Sequence, residues 1–549
     1  MPDMGSKTLS RGPGIMEGPA LAGGIPPQSL PDFIRMRCRR HPGDVALVDG
    51  TSGVAVTYGM LDRQIGRCAA GLAARGFKAG DVMLMYAPNS PEWPIAALGA
   101  MAAGGVASGA NPMDGVAELA TQIRSSGASF VFTVPSLLAH VWQAALAAGR
   151  TVTVIADGVH DTLSLAGLLA CEDPEPGPVQ PDMLAALPYS SGTTGLPKGV
   201  MLTHRALVSN ICQYTQALPA PASAVVLAFL PMYHITGFTV VTLSGLAMGA
   251  RIVTVPRFEP DTFLGAISRH RVSRLNTVPP VMHFLARHPL VDAYDLSSLE
   301  LVGCGAAPLG AALEEDVARR LKCEVGQGFG MTESCGCITV SPPNRVRPGS
   351  SGRLLPGTQA RVVDAETRAD AACGEAGEIW FRGPQAFAGY RGQPAATRET
   401  ITGDGWVRTG DFGFFDEDGY LYITDRLKEI MKVKGFQVAP AELEALLLTH
   451  PAIADAAVIG RPDPRAGELP VACVVPRNGR ATAATAEEIM GWVAARVAAH
   501  KRLADVVLCD AIPRSAAGKI LRRALRALDA QRLAAGQADP MPSLERAAS

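Results

Sequence analysis

Apolar residues recur along the chain in two alternating patterns. Short apolar runs predict buried strands, and the longer segments between them have apolar residues every three or four positions, which predicts helices. The runs cover residues 82–86, 130–133, 152–155, 225–230, 250–255, 274–278 and 299–302, and the helical segments include residues 61–75 and 92–103. Strands that alternate with helices of this length predict parallel, doubly wound sheets. The pattern therefore indicates an α/β fold, with one such sheet before residue 190 and a second, similar sheet after it.

The pattern changes after Val340. Short strands at 361–363, 377–382 and 419–424 lie between Gly, Pro and Asp turns, which predicts a small β-barrel. A charged segment at 425–435 is typical of a connector, and the elements after it predict a small, separate α+β domain. The expected organisation is a disordered leader (1–28), an N-terminal domain (29–425), a C-terminal mobile domain (426–530) and a flexible tail (531–549).

Charge and cysteine content limit the class of protein. The 549 residues include 50 Lys and Arg against 51 Asp and Glu, so no overall field attracts nucleic acid or an anionic membrane. A chain of this length needs more than one core. Eleven cysteines, an odd number without regular spacing, favour free thiols in a reducing cytoplasm. Nothing in the sequence indicates an oligomeric state.

An uncharged stretch over residues 94–113 has two interpretations. It is long enough to span a membrane. Its four glycines, together with Ser108, Asn111 and Pro112, instead favour a buried Ala- and Gly-rich helix followed by a strand. We therefore expect no membrane span.

The stretch from Tyr189 to Gly199 concentrates groups that bind phosphate. Glycine N–H groups, hydroxyls and one lysine follow an apolar run at 183–187 and precede Thr203, a candidate helix N-cap. The residues concerned are Ser190, Ser191, Gly192, Thr193, Thr194 and Lys198. The stretch is not a Walker A loop, because proline and glycine stand at two of its required positions. It suits the phosphates of ATP, and on composition alone a flexible surface loop is the other interpretation.

Four further segments place polar side chains beside glycine or other small residues. Residues 326–333 surround one aromatic with glycines and then add a hydroxyl and a carboxylate, residues 409–411 put a carboxylate at a turn, residues 513–520 hold one lysine, and residues 231–234 end in histidine. The side chains singled out are Phe329, Thr332, Glu333, Asp411, Lys519 and His234. Each also has a structural or solvated interpretation, such as a turn-stabilising aspartate or a surface lysine.

Residues 190–199, with the sequence Ser-Ser-Gly-Thr-Thr-Gly-Leu-Pro-Lys-Gly, resemble the phosphate loop of the acyl-adenylate-forming superfamily of AMP-dependent synthetases and ligases. The resemblance extends from about residue 30 to about residue 523, and it is closest to the branch similar to 4-coumarate:CoA ligase. It implies an acid–thiol ligase, an AMP-forming acyl-CoA synthetase, that uses ATP, CoA and Mg²⁺. The implied reaction converts an acid and ATP to acyl-AMP and pyrophosphate, and then uses CoA to form acyl-CoA and AMP.

The resemblance implies roles for residues at the nucleotide. Phe329 stacks on adenine, although most relatives have tyrosine there, Thr332 meets the α-phosphate, and Glu333 holds Mg²⁺. Lys519 bridges the substrate carboxylate and the α-phosphate, and His234 lies beside the acyl carbonyl. The other implied contacts to ATP or AMP are Ser190, Ser191, Gly192, Thr193, Thr194, Lys198, Gln327, Gly328, and the ribose contacts Asp411 and Arg426.

The second half-reaction is implied to use another face of the C-terminal domain, after that domain turns about a hinge. The residues implied are the hinge Lys428, the adenylate contacts Lys432 and Gln437, and the CoA contacts Arg257, Lys434 and Gly435.

The acyl pocket implied by the resemblance consists of His234, Ile235, Thr236, Val240, Gly303, Ala306, Gly328 and Gly330. Gly303 and Thr236 replace larger residues of hydroxycinnamate ligases, and Trp380 also departs from their pattern, so we expect a roomier, less phenol-specific pocket. Aryl acids such as cinnamates are the first expectation and medium-chain acids the second. An adenylate former that acylates an amine or a carrier protein is the alternative enzyme, and a non-catalytic nucleotide-binding protein is the alternative class.

Overall fold

The computed structural model describes residues 14–190, 197–477, 485–514 and 520–534. These residues form four β-sheets, with helices packed against them. Within these ranges, no helix is both long enough and apolar enough to cross a membrane.

The strands are β1 Ile15–Glu17, β2 Val45–Asp49, β3 Ala55–Thr57, β4 Val82–Tyr86, β5 Val106–Gly109, β6 Phe130–Thr133, β7 Thr153–Ile155, β8 Leu184–Ala186, β9 Tyr189–Ser190, β10 Lys198–Thr203, β11 Val225–Ala228, β12 Arg251–Thr254, β13 Arg274–Thr277, β14 Leu301–Cys304, β15 Glu324–Phe329, β16 Thr339–Val340, β17 Arg353–Leu354, β18 Gln359–Val363, β19 Gly377–Arg382, β20 Gly389–Tyr390, β21 Val407–Phe415, β22 Leu421–Arg426, β23 Met431–Val433, β24 Phe436–Val438, β25 Ile453–Asp463, β26 Gly467–Pro476 and β27 Asp505–Leu508.

The α-helices are α1 Leu30–Cys38, α2 Tyr58–Ala74, α3 Glu92–Ala102, α4 Val116–Ser126, α5 Leu138–Ala148, α6 Leu165–Leu169, α7 His204–Ala217, α8 Ser244–Met248, α9 Pro260–His270, α10 Pro279–Arg287, α11 Ala311–Leu321, α12 Pro394–Thr400, α13 Pro440–Leu447, α14 Ala486–Ala494 and α15 Arg522–Ala534. A π-helix, Thr236–Leu243, runs directly into α8.

The largest sheet has nine strands in the order β17-β16-β15-β14-β13-β11-β12-β2-β3. Its central strands β15, β14, β13, β11 and β12 are parallel, as the alternation of strands and helices predicts. Apolar side chains of these strands are shielded from water, which drives the sheet to pack between helices. The apolar runs at 225–230, 250–255, 274–278 and 299–302 all fall in this sheet.

The second sheet has eight strands in the order β20-β10-β8-β5-β4-β6-β7, with β9 paired to β10. Strands β5, β4, β6 and β7 are parallel, whereas β10 pairs antiparallel with β8, β9 and β20. The uncharged stretch at 94–113 becomes most of α3 and all of β5. Two doubly wound sheets are thus confirmed for the larger part of the chain.

The third sheet is antiparallel and has the order β1-β18-β19-β21-β22. Its edge strand β1 lies inside the segment expected to be a disordered leader, and that prediction is wrong for residues 14–28. The reason is tertiary: Gly18 N–H donates to Thr358 O at 2.8 Å and Gly357 N–H donates to Pro19 O at 2.7 Å. The leader therefore completes a sheet edge whose strands come more than 300 residues later. Residues 1–13 lie outside the described ranges.

The C-terminal sheet has the order β24-β23-β26-β25, with β27 paired to β26, and α13, α14 and α15 pack on it. Buried Glu444 is paired with Arg522 at 2.7 Å, so the first turn of α15 is fastened to α13. The flexible tail was expected from residue 531, but α15 continues to Ala534, because Arg532 pairs with Asp505 at 2.6 Å. The remaining tail residues, 535–549, lie outside the described ranges.

Candidate active site

A cavity of about 610 Å³ lies at the carboxyl ends of the central parallel strands. Thr277, Cys304 and Phe329, the last residues of β13, β14 and β15, all line it. The π-helix, β9–β10, β20 and the β21–β22 hairpin close its other sides. Ligands of open α/β sheets bind at this edge, because the connecting loops diverge there and leave a crevice.

One end of the cavity is polar and centres on Glu333. The side chain is only 5% exposed, and its Oε1 accepts hydrogen bonds from Tyr390 Oη at 2.7 Å and from Ser190 Oγ at 3.4 Å. Lys198 Nζ lies 4.9 Å from the centre of the Tyr390 ring. Burial raises the pKa of the Tyr390 hydroxyl, so it stays protonated and donates to the carboxylate. A carboxylate, a lysine and two hydroxyls thus converge from three separate segments.

Phe329 and Thr332 follow one another along this wall, and both line the cavity. The segment between them needs glycine at position 330, where an added Cβ would overlap Gly336 O. Cys335, at φ 58°, and Gly336, at φ 135°, turn the chain back towards Gly330. Glycine is required at position 330 because these two backbone segments approach each other closely, and not because a ligand needs access there.

Gln327 lines the cavity, but its side-chain amide is committed to the protein. Its Oε1 accepts from Leu309 N–H at 3.0 Å, and its Nε2 donates to Leu309 O at 3.0 Å and to Glu314 Oε2 at 2.8 Å. These bonds hold the segment that contains Ala306, whose φ of 73° is strained for a residue with a side chain. Gln327 therefore shapes the cavity wall through this segment.

The β21–β22 hairpin brings Asp411 opposite Arg426, and the two form an ion pair of 2.7 Å. Arg426 lines the cavity, as do Thr409, Gly410 and Lys428. Asp411 is 4% exposed and lies directly behind Arg426, so it does not itself line the cavity.

His234 and the expected acyl-pocket residues all line the same cavity: Ile235, Thr236, Val240, Gly303, Ala306, Gly328 and Gly330. Thr236 N–H donates to His234 Nδ1 at 3.4 Å, so Nδ1 acts as an acceptor in this position of the ring. Val240 belongs to a buried apolar cluster with Tyr214, Leu218, Cys337, Val340 and Leu355. This end of the cavity is therefore mainly apolar.

Two expectations about pocket size need correction. The space beside Gly303 is occupied: a Cβ there would lie 2.9 Å from Asn276 Oδ1, so the glycine accommodates a neighbouring side chain as well as any ligand. Trp380 does not line the cavity, because it packs in the third sheet between the guanidinium groups of Arg361 and Arg408. Its departure from the plant pattern therefore does not enlarge the pocket.

Several expected ligand residues lie elsewhere. Lys432, Lys434, Gly435 and Gln437 form the exposed β23–β24 hairpin, which does not line the cavity. Arg257 is also outside the cavity, exposed, and paired with Glu259 at 2.6 Å. Ser191, Gly192, Thr193, Thr194 and Lys519 lie outside the described residues.

Residues that sequence reasoning missed include Tyr390, Asn276, Tyr214 and Arg274, all of which line the cavity. Tyr390 reaches the site because β20 pairs with β10, with Tyr390 opposite Val200. No local motif marks these side chains. The one available signal is that Arg274 and Asn276 are polar residues inside a predicted buried strand, where such residues need a partner or a ligand.

A single cavity that joins phosphate-type donors and a carboxylate to an apolar pocket is typical of an enzyme that activates an organic substrate with a nucleotide. Comparisons with known proteins agree. Residues 34–391 match the AMP-binding enzyme family, and residues 442–519 match the AMP-binding enzyme C-terminal domain. The chain therefore belongs to the AMP-binding enzyme family.

Individual relatives cover nearly the whole chain. The chain is 41% identical to 4-coumarate–CoA ligase 1 of Petroselinum crispum over 493 residues, which are 88% of this chain and 90% of that protein. ATP-bound MatB from Rhodopseudomonas palustris has a TM-score of 0.82 at 30% identity, covering 91% of this chain and 99% of that one. A benzoate CoA ligase from Burkholderia xenovorans LB400 has a TM-score of 0.82 at 25% identity, with coverage of 91% and 99%.

Proposed function

We propose that this chain is an ATP-dependent acid–CoA ligase that acts on aryl acids of the cinnamate type. It first forms an acyl-adenylate and pyrophosphate, and CoA then displaces AMP to give the acyl-CoA. The observation that carries the proposal is the continuity of one cavity from the Glu333 centre to the apolar pocket beside His234. A nucleotide phosphate and an acyl carboxylate can meet only where two such regions adjoin.

Glu333 suits a magnesium ion. Mg²⁺ prefers oxygen ligands and in phosphate-transfer sites binds one or two carboxylates together with substrate phosphates. Tyr390 and Ser190 orient the Glu333 carboxylate, and Lys198 lies near enough to offset phosphate charge. When bound, the ion would neutralise phosphate oxygens, while Phe329 supplies an aromatic face for adenine.

His234 is placed to position the acid. Thr236 N–H donates to His234 Nδ1, and this bond fixes the position of the imidazole at the cavity wall. An acid placed beside the imidazole has a carboxylate oxygen available for attack on the α-phosphorus. The attack breaks the α–β phosphoanhydride bond, and pyrophosphate leaves with the electron pair.

Asp411 would take the ribose hydroxyls once Arg426 moves aside. Both oxygens of a carboxylate can accept from a pair of neighbouring hydroxyls, and the present 2.7 Å ion pair occupies one of them. Arg426 would then be released towards the nucleotide. The two hydroxyls would then replace the ion pair with hydrogen bonds to the buried carboxylate.

The CoA step requires the C-terminal domain to turn. One exposed hairpin carries Lys432, Lys434, Gly435 and Gln437. Lys428 lies in the connection between β22 and β23, and it lines the cavity. We propose that residues 426–530 rotate about Lys428, so that this hairpin replaces the segment of Lys519 at the adenylate. Arg257 would meet a CoA phosphate at the entrance.

Two further observations support the proposed compartment, acceptor and substrate. All eleven cysteines are free thiols, and most are buried, which supports a reducing compartment such as the cytoplasm. The alignment with a 4-coumarate–CoA ligase supports both CoA as the acceptor and an aryl acid as the substrate.

The experiment is a two-stage assay with purified full-length protein. Pyrophosphate release with ATP and Mg²⁺ is measured for cinnamate, benzoate and octanoate, and the products are then identified after addition of CoA, an amine or a carrier protein. The proposal expects cinnamate to be preferred and only CoA to discharge the adenylate. Preference for octanoate would overturn the aryl assignment, and discharge by the amine would overturn the CoA assignment.

A further inference from the structure

We propose that Glu314 is a positioning residue for the nucleotide: as a neutral carboxylic acid it holds, through Gln327, the backbone beside the adenine slot. The adenine slot is the space next to Phe329, where the proposed function places adenine, and the inference rests on that function. The backbone in question is the connection between β14 and α11, whose residues Gly305 and Ala306 line the cavity. Glu314 lies behind this wall and does not itself line the cavity.

The connection after β14 needs support from outside. Ala306 has a φ of 73°, a conformation that persists in a residue with a side chain only where neighbouring contacts impose it. Gly305 lies against β15, since a Cβ added to it would be 3.5 Å from Gly328 O. Three residues after Ala306, both backbone groups of Leu309 bond to the Gln327 side chain at 3.0 Å. The Gln327 amide thus fixes how far the connection stands from β15, and so the width of the slot.

Glu314 decides which way round the Gln327 amide lies. Its Oε2 accepts from Gln327 Nε2 at 2.8 Å, so the NH₂ end of the amide faces α11. A reversed amide would set donor against donor and acceptor against acceptor at Leu309, and both bonds to the connection would be lost. The same Oε2 accepts from Gly349 N–H at 2.9 Å, so Glu314 also ties the loop before β17 to this wall.

The bonding pattern of Glu314 is that of a neutral carboxylic acid. The residue is 1% exposed, its Oε2 accepts two N–H groups, and its Oε1 has no hydrogen-bond partner among the described residues. A carboxylate would leave a bare buried charge on Oε1, whereas a protonated acid leaves a hydroxyl, which is far less costly. The titratable groups that face it are Glu315 and the Cys304 thiol, and neither is a cation. Burial accordingly raises the pKa of the Glu314 carboxyl.

Ionisation of Glu314 would work against nucleotide binding in two ways. A buried anion without a cation is driven towards water, which pulls it away from Gln327 and frees the connection. Its charge would also lie behind the wall against which an anionic nucleotide binds. Since the pKa of Glu314 is raised in the folded protein, the supporting form is present below that pKa and is lost as the pH rises through it.

The test measures the affinity for ATP and Mg²⁺ by calorimetry, without any acid, in the unaltered protein and in three variants. Glu314→Gln keeps an accepting oxygen and cannot ionise, Glu314→Leu removes the acceptor, and Glu315→Gln changes the exposed neighbour on α11 as a control. Glu314→Leu should weaken ATP binding by about tenfold, since two buried N–H groups lose their partner. Glu314→Gln and Glu315→Gln should bind ATP within about twofold of the unaltered protein.

Two readouts separate positioning from a merely structural role. In pyrophosphate release, Glu314→Leu should raise KM for ATP and leave KM for cinnamate unchanged. The ATP affinity of the unaltered protein should fall as the pH rises through the pKa of Glu314, whereas Glu314→Gln should lack this fall, because its amide has no proton to lose. Titration of ATP itself affects both proteins equally and cancels in the comparison.

Three results would overturn the inference. Equal weakening of ATP binding by Glu314→Gln and Glu314→Leu would show that a charge is needed. A parallel rise in KM for ATP and for cinnamate would show a general structural effect. Identical pH profiles for the unaltered protein and Glu314→Gln would show that this acid does not titrate in the folded protein, and this comparison is decisive even if Glu314→Leu does not fold.

Failure of the proposed function gives a different result. Absence of ATP binding by the unaltered protein would refute nucleotide activation altogether, and the role of Glu314 with it. ATP binding without pyrophosphate release from any acid would refute the ligase assignment alone, and the ATP affinities of the variants would still decide the role of Glu314.

Discussion

The wall of the cavity and the β23–β24 hairpin both hold residues implied to bind ligands, but they are built in opposite ways. In the wall, Glu333, Tyr390 and Ser190 come from three distant segments and are locked together by hydrogen bonds. In the hairpin, Lys432 and Gln437 are paired neighbours on exposed strands, and Lys434 and Gly435 form a two-residue turn with φ of 51° and 85°. A two-residue turn with positive φ at both positions is the connection that matches the twist of two antiparallel strands.

The difference indicates which half-reaction is preassembled. A site made by buried contacts between segments exists before substrates arrive, which suits adenylation. A ligand set carried on an exposed hairpin has to be delivered, which suits a later step governed by domain position. Four substitutions test this contrast, from the largest expected effect to the smallest.

Lys519→Ala should separate the two half-reactions most strongly. Removing a charge-assisted contact that develops in the transition state should slow adenylation by at least ~10²-fold. Thiolysis of preformed acyl-AMP should be spared, because it uses the other face of the domain. The two rates are measured separately by pyrophosphate release and by CoA-dependent AMP release. Unchanged pyrophosphate release would show that Lys519 has no such role.

Gly330→Ala should damage the wall itself. The added methyl overlaps the Gly336 carbonyl oxygen, which belongs to fixed backbone, so we expect a loss of about 2–3 kcal/mol in unfolding free energy. Calorimetric unfolding of the full-length protein, with the transitions of both domains recorded, provides the measurement. The matched control is Gly491→Ala in α14, where a Cβ meets nothing within 4 Å and helix propensity predicts a gain of up to about 1 kcal/mol. Equal changes in unfolding free energy for the two variants would mean that the cavity wall is not tightly packed at Gly330.

Tyr390→Phe should weaken adenylation without unfolding the wall. It removes the 2.7 Å hydrogen bond to Glu333 and keeps the ring beneath Lys198, so a loss of about tenfold in kcat is expected. The Mg²⁺ concentration needed for half-maximal pyrophosphate release should rise. Tyr294→Phe, which removes a 2.9 Å bond to Asp261 on the surface, serves as the control. Normal Mg²⁺ dependence in Tyr390→Phe would argue against Glu333 as the metal ligand.

Lys434→Glu should affect only the second step. Reversing one exposed charge should raise KM for CoA by about fivefold at low salt, with a smaller effect at high salt because exposed charges are screened. Acyl-AMP formation should continue at its normal rate. Lys78→Glu, an exposed lysine on the N-terminal domain, is the comparison. A similar rise in KM for both variants would assign the effect to net charge instead of the hairpin.

Most of the fold could be predicted from periodicity, because parallel strands buried on both faces leave continuous apolar runs in the sequence. The ordered strand β1 in the leader could not be predicted, since the strand that stabilises it lies more than 300 residues away in the sequence. Among site residues, Glu333 and Lys198 were marked by motifs, whereas Asn276 and Tyr390 were not. The last two line the cavity because β13 pairs with β14 and β20 pairs with β10, and register is a property of the folded sheet.

The amino-acid sequence by itself determined that two parallel sheets form, and it predicted a phosphate-binding stretch after residue 188 and a set of residues for a nucleotide reaction in one chain. Tertiary structure decided which of them meet: Glu333 with Tyr390, Arg426 with Asp411, and Asn276 over Gly303. It also decided that the β23–β24 hairpin lies away from the cavity. The reason is that composition and spacing specify local conformation and burial, whereas contacts between distant segments depend on how whole sheets pack.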